Sequence, residues 1–213
     1  MNLDRDLAEA IRLAQEEDGR LEDLEVHGAA VLGGDLSQME WRRVRLTGCR
    51  LVGCDLSGIS LYHCAWKDCL LQDCRLSGSF WRDTELEGCK LEGCDLRDSR
   101  IKDCRWAQSR LRYANLAGSV WERDSLLRCD LREASLSGAR LRAVELEGTD
   151  LSGCELFRAE LAGLDLSRCD IDGIVLSQSC RGLKGVRIGA HQAPVVARIL
   201  GILVEGADRC AGA

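Results

Sequence analysis

Proline occurs once in this 213-residue chain, aromatic side chains make up only 4%, and the three histidines are scattered at positions 27, 63 and 191. No run approaches the roughly 18 uncharged apolar residues that a membrane-spanning helix requires, so no membrane association is expected. Basic residues are not in surplus, with 29 Lys and Arg against 35 Asp and Glu, which argues against direct binding of nucleic acid. A glycine-rich phosphate loop is missing, and no Ser/His/Asp or Cys/His arrangement can be assembled. The cysteines recur at multiples of five rather than in the convergent close pairs of a zinc site. No catalytic residue, metal or cofactor is therefore expected. The opening MNLDRDLAEA is acidic and amphipathic, unlike a secretory leader. The 13 cysteines accordingly read as reduced thiols of a cytoplasmic protein rather than a disulfide framework.

What the chain does have is periodic. Apolar residues reach 46%, enough to offset the entropy of ordering. Every fifth position from Val26 to Leu176 is apolar, 31 positions in all; chance would give this about once in 10^10 trials at such a composition. Two residues before each centre runs a column of small or apolar residues that holds eleven of the cysteines, Cys180 and Cys210 alone lying outside it. Two residues after the centre, glycine stands at 14 positions. The other two positions of each unit are mostly charged or hydroxylic.

A period of five suits neither a helix nor a plain strand. It suits a chain that turns a corner every five residues, with a short extended piece aiming the centre and the residue two before it inward. Glycine after the centre fits a type II turn, where one residue takes positive φ. Four corners close a square coil of 20 residues, and coils stack about 4.8 Å apart. The expected fold is an all-β solenoid of some seven and a half coils. The five tryptophans are centres and are expected inside, alternating between two adjacent walls. Cysteine is read as a small hydrophobe that fits the tight column. Asp124 breaks that column, and either a distorted coil or a buried partner would accommodate it. Only three threonines are present, which excludes a flat threonine ladder of the ice-binding kind.

The segments CDLSG (54–58), CDLRD (94–98), ANLAG (114–118) and CDLRE (129–133) resemble the A(D/N)Lxx consensus of the pentapeptide repeat family. The resemblance implies a right-handed quadrilateral β-helix. Leu3, Leu7, Ile11 and Ala14 follow helical spacing, so a helix over residues 3–18, stopped at Gly19, should cap the first coil. Beyond the repeat, Val195, Val196, Ile199 and Leu200 form a helical apolar stripe ending at Gly201, followed by the β-prone Ile202-Leu203-Val204. Three parts are expected: an N-terminal capping helix (1–20), the repeat (21–180) and a C-terminal helical module (181–213).

Charge is unevenly placed. Residues 1–39 sum to -7, whereas residues 143–176 carry eight acidic groups against Arg158 and Arg168. Those eight, Glu145, Glu147, Asp150, Glu155, Glu160, Asp165, Asp170 and Asp172, make the last coils an acidic zone able to steer a basic partner. The tail GVRIGAHQAPVVARILGILV, from Gly185 to Val204, is similar to the C-terminal module of quinolone-resistance (Qnr-type) members. That resemblance implies a homodimer through Val195, Val196, Ile199, Leu200 and Ile202. It further implies an acidic rod that imitates B-DNA on a type II topoisomerase, DNA gyrase or topoisomerase IV, without enzymatic activity. A generic protein-interaction scaffold is the alternative.

Overall fold

The computed structural model describes residues 7–177 and 181–205. Its body is a four-sided parallel β-helix in which each position pairs with the one 20 residues further on. The first wall is a seven-stranded sheet in which Leu21 lies against Trp41, Trp41 against Leu61, and so on to Leu141. A second seven-stranded sheet holds Val26, Leu46, Trp66, Leu86, Trp106, Leu126 and Leu146. The third wall begins as three strands, centred on Val31, Leu51 and Leu71, and continues as isolated bridges. The fourth wall is bridges throughout, from Asp35 to Val175. The repeat therefore starts one unit earlier than Val26, at Leu21, because Leu21 is buried and paired like any other centre.

The corners explain the rest of the consensus. The residue two after the centre has positive φ at the 14 glycines and also at sixteen other residues, among them Asp23, Arg43, His63 and Tyr113. Glycine is thus not what makes the corner. The left-handed conformation costs about 1–2 kcal/mol for an L-residue, and it recurs because the N–H there is aimed at the next coil. Arg43 N–H donates to the Tyr62 carbonyl at 2.9 Å and Tyr113 N–H to Arg132 at 3.1 Å. On the fourth wall the turn is also closed locally, as where Ile59 N–H donates to the Leu56 carbonyl at 3.1 Å. The Asp or Asn before the centre supports that turn. Asp55 Oδ1 accepts Ser57 N–H at 2.9 Å and Asn115 Oδ1 accepts Ala117 N–H at 3.2 Å, a side chain standing in for a backbone turn.

Inside, the five tryptophans form one continuous stack. Ring centroids of Trp41, Trp66, Trp81, Trp106 and Trp121 are successively 6.1, 5.4, 5.4 and 5.6 Å apart. The cysteine column is more than apolar filling. In ten cases the thiol donates to the carbonyl 23 residues earlier, as Cys49 to Val26 and Cys154 to Leu131. Ser99 and Thr149 do the same with hydroxyls. Where the column holds Cys, Ser or Thr, the small side chain can thus bring a donor as well as filling space.

Helix α1 (Leu7–Glu17) buries Leu7, Ala10, Ile11 and Ala14 against the first coil and ends where Gly19, at φ +74°, donates its N–H to the Ala14 carbonyl. Residues 3–6 of the expected helix lie outside the described residues. At the other end the frame slips by two. Arg187 bridges Asp165 at an offset of 22, laying Val186-Arg187-Ile188 over the last coil. Helix α2 (Ala193–Ile199) follows, with Pro194 in its first turn.

Candidate functional site

The acidic residues expected to meet a partner all reach the surface of the last coils, but they do not share one face. Glu145, Glu147 and Asp165 project from the second wall, Asp150, Asp170 and Asp172 from the third, Glu155 from the fourth and Glu160 from the first. They form a collar, because a 20-residue coil distributes sequence neighbours around all four sides.

Their roles differ. Asp150 and Asp165 hold turns, accepting the N–H groups of Ser152 and Ser167 at 2.9 Å. Each also meets an arginine, Asp150 with Arg132 at 3.4 Å and Asp165 with Arg187 at 3.3 Å. The two N–H and side-chain bonds from Ser167, with Arg187 beside them, hold the Asp165 carboxyl below the usual carboxylate range. Glu147 pairs with Arg168 at 2.9 Å. The remaining five, Glu145, Glu155, Glu160, Asp170 and Asp172, are exposed and have no ion-pair partner among the described residues. In the earlier coils some carboxylates are paired along the ladder, while Asp68, Asp73, Glu85, Glu92 and Asp98 are exposed without an ion-pair partner among the described residues. Arg43 lies on Asp23 and Arg123 on Asp103, both as two-pronged pairs one coil apart.

The apolar residues assigned to a dimer contact separate into two groups. Val195, Val196 and Ile199 turn inward and pack against the rod's own core. Leu200 and Ile202 are about half exposed, and Leu203 beside them is 96% exposed. The β-prone segment Ile202–Val204 forms no strand, since no edge runs alongside it among the described residues. What fastens the module is Gln192. Its side-chain amide is buried; Nε2 donates to the carbonyls of Leu166 and Cys169 at 2.8 and 2.6 Å, and Oε1 accepts Gly189 N–H at 2.7 Å. The only sequence signal was an amide directly before a proline-started helix.

Hollows such as the one of about 390 Å³ over Ala107, rimmed by Glu85, Glu87, Arg105, Arg128 and Glu147, are open depressions where a small side chain sits between longer ones. Among the described residues no cluster of three or more His, Cys, Asp or Glu could hold a metal ion, and no helix is long and apolar enough to cross a membrane.

Residues 32–101 match the pentapeptide repeat region family, and residues 109–148 and 134–173 match the pentapeptide repeats (8 copies) family. No curated protein matches the chain. Among solved structures, a trypsin-treated form of QnrB1, described as a plasmid-mediated fluoroquinolone resistance protein, is 22% identical with a TM-score of 0.47, over 88% of this chain and 99% of that one. Full-length QnrB1 is 17% identical with a TM-score of 0.42, over 75% and 98%. HetL, a pentapeptide repeat protein involved in heterocyst differentiation regulation from the cyanobacterium Nostoc sp. strain PCC 7120, is 18% identical with a TM-score of 0.34, over 89% and 93%. With the five-residue frame unbroken from Leu21 to Leu176 and both repeat families matched along it, the chain belongs to the pentapeptide repeat family.

Proposed function

We propose that two copies of this protein join through the C-terminal module and that the joined rod acts as a DNA mimic on a type II topoisomerase, DNA gyrase or topoisomerase IV. The carrying observation is the collar of five exposed carboxylates without ion-pair partners, set beside an exposed apolar segment at one end of the rod. Unpaired charge of one sign raises the encounter rate with a basic groove and adds little to folding. Leu200, Ile202 and Leu203 supply the dimer contact, because Val195, Val196 and Ile199 are occupied with the rod itself. Joining at that end brings two acidic collars together and doubles the length of negative surface. Binding of this kind protects or modulates the enzyme and requires no catalytic group.

The mixed signs of the middle coils favour a second reading, a scaffold docking some other protein through such a face. Pull-down with purified gyrase and a supercoiling assay, with and without ciprofloxacin, separate the two. The mimic binds and alters the drug response, and loses both when Glu145, Glu155, Glu160 and Asp170 are reversed to Lys. The scaffold shows neither effect at micromolar protein. Sedimentation equilibrium tests the joining step: a species of twice the 23.5 kDa chain mass is expected, becoming monomeric in Leu203→Glu.

A further inference from the structure

Asp124 stands in the inward column otherwise filled by Cys, Ser, Thr, Gly, Ala, Met and aliphatic residues, and is only 1% exposed. Its Oδ1 accepts the Cys104 N–H at 2.7 Å, whereas Oδ2 is buried with no partner. Thr149 shows what a column residue with two functions does. Its hydroxyl accepts from the N–H 20 residues earlier, Cys129, at 3.4 Å and donates to the carbonyl 23 residues earlier, Leu126, at 2.9 Å. Asp124 makes the first of these bonds. The second would reach the Ile101 carbonyl, and an ionised carboxylate has no proton to give it.

We infer that Asp124 is held as the neutral acid and donates its Oδ2 proton to the Ile101 carbonyl, so that this coil is a latch closed by a proton. The latch sits where the core changes character, immediately after Trp121 ends the tryptophan stack and before a stretch cored by leucine alone. Losing the proton sets a buried carboxylate oxygen against a carbonyl oxygen and loosens the contact between the coil of Cys104 and that of Asp124.

The surroundings leave the carboxylate uncompensated. The preceding coil offers the Cys104 thiol and Asp103, and Asp103 already holds Arg123 in a two-pronged pair at 2.7 Å. The following coil places Ala143 and Val144 there, with no ionisable side chain, and Glu145 gives only its N–H, to the Asp124 carbonyl. Burial pushes the Asp124 carboxyl up to about 7, partly offset by N–H bonds from Cys104 and Glu122; Asp103 adds to the rise and Arg123 opposes it. The unfolded chain releases this proton near 3.8. The latch therefore contributes fully below that pH and is lost as pH climbs through about 7.

Thermal unfolding of the full chain from pH 5 to 8.5 tests this in wild type, Asp124→Asn and Asp124→Thr. Both variants keep a donor for Ile101 and an acceptor for Cys104 at every pH. The wild-type Tm should fall by roughly 5–10 °C over that range relative to the two variants, which should stay level with each other and exceed it at pH 8. Carbon-13 detection of the Asp124 carboxyl reads the same event directly in the wild type and needs no folded variant. Titration near pH 7 supports the latch. A carboxyl that titrates below pH 5, or variants whose Tm follows the wild-type pH profile, overturns it.

Discussion

The indole N–H of Trp81 donates to the Ser79 hydroxyl at 2.6 Å, and that of Trp121 donates to Ser119 at 2.8 Å. The other three stacked indoles, Trp41, Trp66 and Trp106, have no partner for Nε1. The difference lies two residues upstream, where those three have Met39, Cys64 and Cys104 in place of serine. Cys64→Ser should supply the missing acceptor to Trp66 and keep a donor toward the Trp41 carbonyl. The expected gain is about 1 kcal/mol, read as a rise of roughly 2–4 °C in Tm. A fall in Tm would contradict the rule.

Tryptophans alternate between the first and second walls at intervals of 25 and 15 residues, and the next place in that series is Leu146. There the leucine-only core leaves a dry void of about 20 Å³ lined by Trp121, Leu126, Leu141 and Leu146, among others. Leu146→Trp should extend the stack and raise Tm by roughly 2–4 °C. Loss of stability would mean that the later coils are too narrow for an indole.

Removing the Gln192 amide leaves the Cys169 carbonyl and the Gly189 N–H unsatisfied at the end of the rod, while the Leu166 carbonyl keeps the Cys169 N–H. Gln192→Ala should cost about 2–4 kcal/mol locally and be seen as faster hydrogen exchange through Ala193–Ile199, with the central coils unchanged. Unaltered exchange in α2 would show that apolar packing alone holds the module.

The sequence specified the rod but not the fine structure of its ends. The period survived because each centre, from Leu21 to Leu176, obeys the same local rule, corner after corner. The donor role of the column was hidden by chemistry: cysteine at a small, buried position reads equally as a hydrophobe or as a thiol bonded to a carbonyl 23 residues away. The acidic set read as one zone along the chain became a four-sided collar, since a 20-residue coil sends residues five apart to different walls. The same holds at the tail, where helical spacing identified Val195, Val196 and Ile199 as apolar but could not say that the rod itself would claim them.

Burial pushes six of the column thiols up, Cys64, Cys94, Cys129 and Cys169 to about 11 and Cys104 and Cys154 to about 12, and all eleven column thiols are buried. A thiol held there supplies almost no thiolate at neutral pH. None of the eleven column thiols should therefore react with Ellman's reagent at pH 8 in the native protein, which leaves at most two of the 13 cysteines to do so. All 13 cysteines should react in guanidinium. A third fast-reacting thiol in the native state would contradict the packing described.

Displacement of duplex DNA from purified gyrase, followed by fluorescence anisotropy as the protein is added, bears most directly on the proposed mimicry. The account predicts release of the duplex at micromolar protein, weakening as salt rises, and abolished by reversing Glu145, Glu155, Glu160 and Asp170 to Lys. A duplex that stays bound throughout the titration would contradict it.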